Sequence, residues 1–237
     1  MSRARPDTWS APAIVGVILS RADLRRVVGM RRTPDLVELR LDALALQLGD
    51  IEDELQKLKS PLILTARHSA EGGLNQLRPR ERRSLLLRFL QHASYVDVEL
   101  RSARTLATVL EEARARNIGA IISFHDFYGT PNAARFEKIA QAAWALKPDF
   151  LKVVTRTDNP AQMARLRDFL FRHRKKRRVA VMGMGKLGRR VRLEFAVSGS
   201  ALNYAPLGGA QVEGQLSIKE LRQIIAKESV PFRVCPK

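Results

Sequence analysis

The sequence predicts an α/β fold, a closed (β/α)8 barrel of the TIM type carried on a single domain, residues 1–237. Three observations predict it. Short β-rich runs alternate with helical patterns from one end to the other; eight such runs are present; and an α/β barrel of this length is commonly one unit. An open doubly wound sheet is the runner-up. It would want a Gly-x-Gly-x-x-Gly turn after the first strand, and none follows. Residues 1–12 read as a flexible N-terminal segment and 228–237 as a C-terminal tail.

The strands are expected at Ala13 to Leu19, Leu36 to Leu41, Pro61 to Arg67, Tyr95 to Leu100, Ala120 to Phe124, Phe150 to Thr155, Arg178 to Met184 and Ala201 to Ala205. Helical segments lie between them. Ile51, Leu55 and Leu58 keep helical spacing; Leu85, Leu86, Phe89 and Leu90 make an apolar stripe, and Leu106, Val109, Leu110 and Ala113 make another. Thr130-Pro131 and Asn159-Pro160 each place a proline at an expected helix start behind a capping residue.

Alternation along the strands predicts which side chains enter the barrel, because successive residues point to opposite faces. In Val37-Glu38-Leu39-Arg40-Leu41-Asp42 the apolar set must face the helices, so Glu38, Arg40 and Asp42 point inward. By the same rule Asp97 and Glu99 share a face, as do Ile121, Ser123 and His125, then Phe150, Lys152 and Val154, then Met182 and Met184. With Arg67 this is more charge than a packed apolar interior tolerates unless it is paired. One reading is a set of ion pairs that fill the barrel. The other is an active site, which barrels carry at the C-terminal ends of their strands.

Lys152 is the sharpest signal. It stands among Phe150, Leu151, Val153 and Val154, where desolvation disfavours an ammonium and leaves a neutral amine able to attack a carbonyl. The competing reading is a strand-end lysine whose stem packs and whose head snorkels to water. His125 is the one histidine of four inside a strand pattern; His68, His92 and His173 flank turns or helix ends and are expected at the surface. An inward lysine and an inward histidine on neighbouring strands together supply a nucleophile and a proton shuttle.

Composition excludes several classes. No apolar run approaches the roughly 20 residues that span a bilayer, and the N-terminus lacks the apolar core of a signal peptide, so the chain reads as cytoplasmic, with no membrane partner. Cys235 is the single cysteine, which rules out an internal disulfide, and no metal-ligand cluster stands out. Lys and Arg number 42 against 24 Asp and Glu, a formal charge of +18. That balance attracts polyanions in general. Yet Arg25, Arg26, Arg31, Arg32, then Arg78, Arg80, Arg82, Arg83, Arg88, then the run from Arg172 to Arg178 fall on helices and the turns after them, and most of them read as solvated faces. No aromatics interleave with the last run as a stacking platform would require, so nucleic acid is not the expected partner.

Seven segments in one order carry a resemblance: Val37 to Asp42; Thr65-Ala66-Arg67 with Glu71-Gly72-Gly73; Asp97 to Leu100; Ser123-Phe124-His125-Asp126-Phe127; Phe150-Leu151-Lys152-Val153; Met182-Gly183-Met184-Gly185-Lys186-Leu187-Gly188; and Gly214-Gln215. Over about Ala13 to Ile225 the chain resembles type I 3-dehydroquinate dehydratase, the Schiff-base enzyme of the shikimate pathway. The resemblance implies a lyase that removes water from 3-dehydroquinate to give 3-dehydroshikimate through a lysine imine, with no metal or organic cofactor, and usually as a homodimer. It implies that Lys152 forms the imine and that His125 moves the protons, oriented by Glu71. Glu38, Arg40 and Arg67 would hold substrate hydroxyls and order the site, Arg192 would grip the substrate carboxylate, Gln215 would belong to a closing loop, and Met182 and Met184 would flank the ring. Val191 and Gln211 stand where the family carries serines, the second at a substrate-contacting position.

Two other functions fit parts of the pattern. Another lysine-imine barrel, such as a class I aldolase acting on a sugar phosphate, would want a glycine-rich phosphate site after the last strands, for which Pro206-Leu207-Gly208-Gly209 is a weak candidate. A basic nucleic-acid-binding barrel without catalysis would need a contiguous basic face and steeply salt-dependent binding. It has no use for the inward lysine and histidine.

Overall fold

A computed structural model describes residues 12–49, 51–209 and 212–228. The expected N-terminal segment up to residue 11, Gln211, and the tail from residue 229 with Cys235 lie outside the described residues. Eight parallel strands form one sheet: β1 (Ala13–Ile18), β2 (Leu36–Arg40), β3 (Leu62–Thr65), β4 (Tyr95–Glu99), β5 (Gly119–Asp126), β6 (Phe150–Arg156), β7 (Val179–Met184) and β8 (Leu202–Pro206). Between them run α1 (Arg21–Val28), α2 (Leu41–Leu44), α3 (Glu52–Gln56), α4 (Pro79–Phe89), α5 (Ala107–Ala115), α6 (Ala133–Ala145), α7 (Pro160–His173) and α8 (Gly188–Val197), with α9 (Ile218–Glu228) after the last strand. β1 pairs with both β2 and β8, so the sheet curls into a nearly closed barrel.

The last joint, β7 to β8, has no regular ladder and is bridged by other groups. Ala201 N–H donates to Val179 O at the base (2.8 Å). Ser200 Oγ, fully buried, accepts from Val181 N–H (3.0 Å). Near the mouth Arg192 Nε donates to Gly183 O (2.9 Å) and its Nη1 lies 3.5 Å from Tyr204 O. A hydroxyl and a guanidinium thus satisfy backbone groups that a neighbouring strand would otherwise pair, which buried amides and carbonyls require.

Strand alternation divides the core as the pattern predicts. Val37, Leu39, Leu62, Leu64, Val96, Val98, Leu151, Val153 and Val181 pack outward with the helices in one cluster. Val15, Leu36, Ile63, Tyr95, Ile121, Phe150, Met182 and Tyr204 fill the barrel in another. The lower interior is apolar and the charges stand above it, toward the strand ends.

Three local expectations need correction. Asp42 does not point into the barrel, because β2 ends at Arg40 and the chain coils into α2; Asp42 lies buried beside the mouth, where it accepts from Arg40 and from the N–H groups of Arg67 and Leu74. The cap of α6 is Asn132, whose side chain accepts from Arg135 N–H, while Thr130 is buried with its hydroxyl on Arg156 O. Asn159 does cap α7, with Pro160 as its first residue. The third is Arg82, which is not on a solvated face: it is buried in α4 on the same side as Leu86 and Phe89.

Candidate active site

The mouth formed by the C-terminal strand ends opens into a cavity of about 710 Å³, counted out to solvent. Its lining brings together Glu38, Arg40, Arg67, Glu71, His125, Lys152, Met182, Met184, Arg192 and Gln215. These are all the site residues expected from the sequence except Gln211. Arg189 and Arg190, on the same helix as Arg192, face away and are exposed, Arg189 pairing with Glu220. Gly183 holds the interior strand against Val191, which is buried behind it rather than in the cavity.

Lys152 is the third residue of β6, and its register partner on β5 is Ser123; His125 pairs with Val154, two residues and roughly 6–7 Å higher. The apolar sleeve expected around the lysine is not what the barrel provides, because Leu151 and Val153 point away into the helices. The Nζ instead lies 3.0 Å from Asp97 and 3.3 Å from Glu38, over the face of the Tyr204 ring at 3.9 Å from its centre. Asp97 and Tyr204 are the partners that the sequence reading left out of the site. The same alternation that singles out Glu99 and Met184 also places them inward.

A buried ion network surrounds this amine. Arg67 lies against Asp97 through both terminal nitrogens (3.0 and 2.9 Å), and also donates to Ser123 (2.6 Å) and to Glu99 (3.3 Å). Glu38 accepts from Thr65 as well as from Lys152. Burial alone would push Asp97 up, but the charges of Arg67 and Lys152 outweigh it and hold the carboxyl well below the usual range. Burial likewise pulls Arg67 down, and Asp97 and Glu99 together return it well above its ordinary value. Each charge is stable here only because its partners are, so deleting one member leaves the rest unpaired in a dry site.

His125 and Glu71 make the second unit. Glu71 Oε2 stands 2.9 Å from His125 Nδ1 and also accepts from the His125 backbone N–H (3.0 Å). Glu71 arrives on a 3-10 turn, Ser69–Glu71, closed by Gly72 at φ +83°, a left-handed backbone that a side chain would strain, and one whose Cβ would strike the Phe127 ring. Arg40 ties the turn down by donating to Gly72 O (3.0 Å). Burial is the largest cause of both shifts in this pair. It raises Glu71 to about 7 and pushes His125 well below its usual value, with Arg67 and Lys152 adding to the second effect. The imidazole is therefore neutral, and a carboxylate on Nδ1 fixes the hydrogen there and leaves Nε2 as the basic nitrogen.

Arg192 completes the wall opposite. It is buried, and among the described residues no carboxylate lies within ion-pair distance of it. Burial alone lowers it, to about 10. A desolvated guanidinium without a counter-ion is a site for an anion, and its planar array of donors suits a carboxylate. The alternative phosphate candidate, Pro206 to Gly209, has an acidic neighbour. A side chain at Gly208 would meet the carboxylate of Asp23, which a phosphate would have to face.

The arrangement offers an amine flanked by carboxylates, a neutral imidazole with a positioned base nitrogen, and an unpaired cation, all on one cavity. Residues 20–229 match the model of the type I 3-dehydroquinase family. This chain belongs to that family. It is 34% identical to the 3-dehydroquinate dehydratase of Thermococcus gammatolerans over 90% of this chain and 97% of the relative. In fold it is similar to the 3-dehydroquinate dehydratase of Geobacillus kaustophilus, with a TM-score of 0.85 and 24% identity over 98% of both chains. It is also similar to the type I enzyme of Clostridium difficile, solved with covalently modified comenic acid, with a TM-score of 0.80, 23% identity and 92% of each chain covered. The family is thus the one expected from the ordered motifs, and the barrel the fold expected from the alternation of strands and helices.

Proposed function

We propose that this chain is a hydro-lyase that converts 3-dehydroquinate to 3-dehydroshikimate through an imine on Lys152. The observation that carries the reading is the convergence of Lys152, His125 and the uncompensated Arg192 on a single cavity. Arg192 receives the substrate carboxylate, and Glu38, Arg40 and Arg67 meet its hydroxyls. Lys152 passes a proton to a neighbouring carboxylate, its Nζ lone pair attacks the ketone carbon, and the oxygen, having taken one proton from that nitrogen, leaves as water when the carboxylate returns the other. The resulting iminium draws electrons from the adjacent carbon. His125 Nε2 takes a proton from that carbon, the C–H pair becomes the enamine double bond, and the hydroxyl one carbon further departs as the imidazolium returns the proton. Hydrolysis releases the product and restores the amine.

The family fits a small-molecule biosynthetic role, for which we assign a cytoplasmic setting and a homodimer. No described helix is long and apolar enough to cross a membrane. The test is turnover of 3-dehydroquinate, followed by the ultraviolet absorbance of the conjugated product, in the native chain and in His125→Ala. The native chain is expected to turn over, and the variant to form the lysine adduct and then stall, because imine formation and proton abstraction are separate steps. Unchanged turnover in His125→Ala would remove histidine from the mechanism.

A further inference from the structure

We propose that Arg82 and Glu99, which lie outside the cavity, form a positioning pair that sets the nucleophile and the base in register with each other. Both are fully buried, and neither lines the cavity. Arg82 enters from α4, where its Nε donates to Ala66 O (2.6 Å), its Nη1 to Ser102 Oγ (2.9 Å) and its Nη2 to Glu99 Oε2. The other Glu99 oxygen, Oε1, accepts from the His68 backbone N–H (2.8 Å) and from Arg67 Nη1 (3.3 Å). The pair therefore grips three consecutive residues after β3, each by a different group.

Two arms leave that grip. Arg67 runs to Asp97, and Asp97 to the Lys152 amine. His68 opens the 3-10 turn, its carbonyl accepting from Glu71 N–H (2.9 Å), and Glu71 holds His125. Nucleophile and base stand on different strands, and this segment is the common mount of the groups that orient both. A buried ion pair contributes little net stability compared with apolar residues of the same volume. Its geometric role explains why a charged pair occupies the place: a five-donor fork and a two-oxygen acceptor fix directions that leucine or methionine cannot.

The pair acts through other residues, so its loss changes turnover rather than substrate capture. The inference rests on the imine reading of the cavity. The experiment compares the native chain, Glu99→Gln, and the double variant Arg82→Met with Glu99→Met. In each, kcat, KM, thermal midpoint and the nitrogen-15 shifts of the His125 ring are measured. Glu99→Gln strands Arg82 and is expected to lower the midpoint; the double variant strands no charge and recovers part of that loss, His68 N–H and Ala66 O still lacking their partners. In the double variant kcat still falls on the order of a hundredfold, as for a misplacement near 1 Å, with KM unchanged and the His125 tautomer no longer fixed. Recovery of turnover together with the midpoint would reduce the pair to a structural role and overturn the proposal, as would native turnover and ring shifts in the double variant. If Glu99→Gln fails to fold, the double variant decides alone. A native chain that does not turn over 3-dehydroquinate would refute the activity, while the ring shifts would still decide the pair.

Discussion

Burial pushes the Glu71 carboxyl up to about 7 and the His125 imidazole well down, so near neutral pH the pair passes between a protonated, idle form and an ionised form that holds Nδ1–H. A group whose folded value is raised keeps its proton until pH climbs through that value, so the working form appears as pH rises through about 7. The acid limb of kcat/KM is expected there, and Glu71→Gln should move it to lower pH, where His125 alone titrates. A limb that stays in place would show that Glu71 does not control the base. At this scale the sequence was informative where alternation applies: Lys152, His125 and Glu38 all enter the cavity as their strand positions require, whereas Arg67 reaches it from two residues past the end of β3. What alternation does not show is who stands opposite. The lysine is held by Asp97, Glu38 and the Tyr204 ring, from β4, β2 and β8, and those contacts exist only once the barrel closes.

Among the elements, the β7–β8 joint is where the fold relies on side chains in place of a ladder. Ser200→Ala leaves Val181 N–H buried without its acceptor, at a cost of about 1–3 kcal/mol. For a chain of this size that is a drop in thermal midpoint of roughly 2–4 °C per kcal/mol. Turnover should hold, because the serine sits at the barrel base, and an unchanged midpoint would mean that the joint is satisfied some other way. The elements also show why some positions were misread. Asp42 continues the strand pattern in sequence, but the strand stops at Arg40 and the chain turns. Arg82 clusters in sequence with exposed arginines, but its spacing to Leu86 and Phe89, four and seven residues, places it on the apolar side of α4.

For the whole molecule the formal +18 charge is a long-range property that no single contact accounts for. The basic run after α7 is exposed, and the nearby aromatic faces are covered by its own arginines, Arg174 over Phe171 and Arg177 over Trp144. The charge is suited to drawing an anionic substrate toward the mouth, an effect that salt screens. Between roughly 0.01 and 1 M salt the screening length shrinks from about 30 to about 3 Å, so KM should rise while kcat stays level; a KM indifferent to salt would remove steering from the account. Everything nonetheless depends on a covalent bond at one nitrogen. The most direct measurement is borohydride reduction in the presence of 3-dehydroquinate, with mass spectrometry of the intact and digested chain. One reduced adduct on the peptide that carries Lys152 is the predicted result. No adduct, or an adduct on any other lysine, would contradict it.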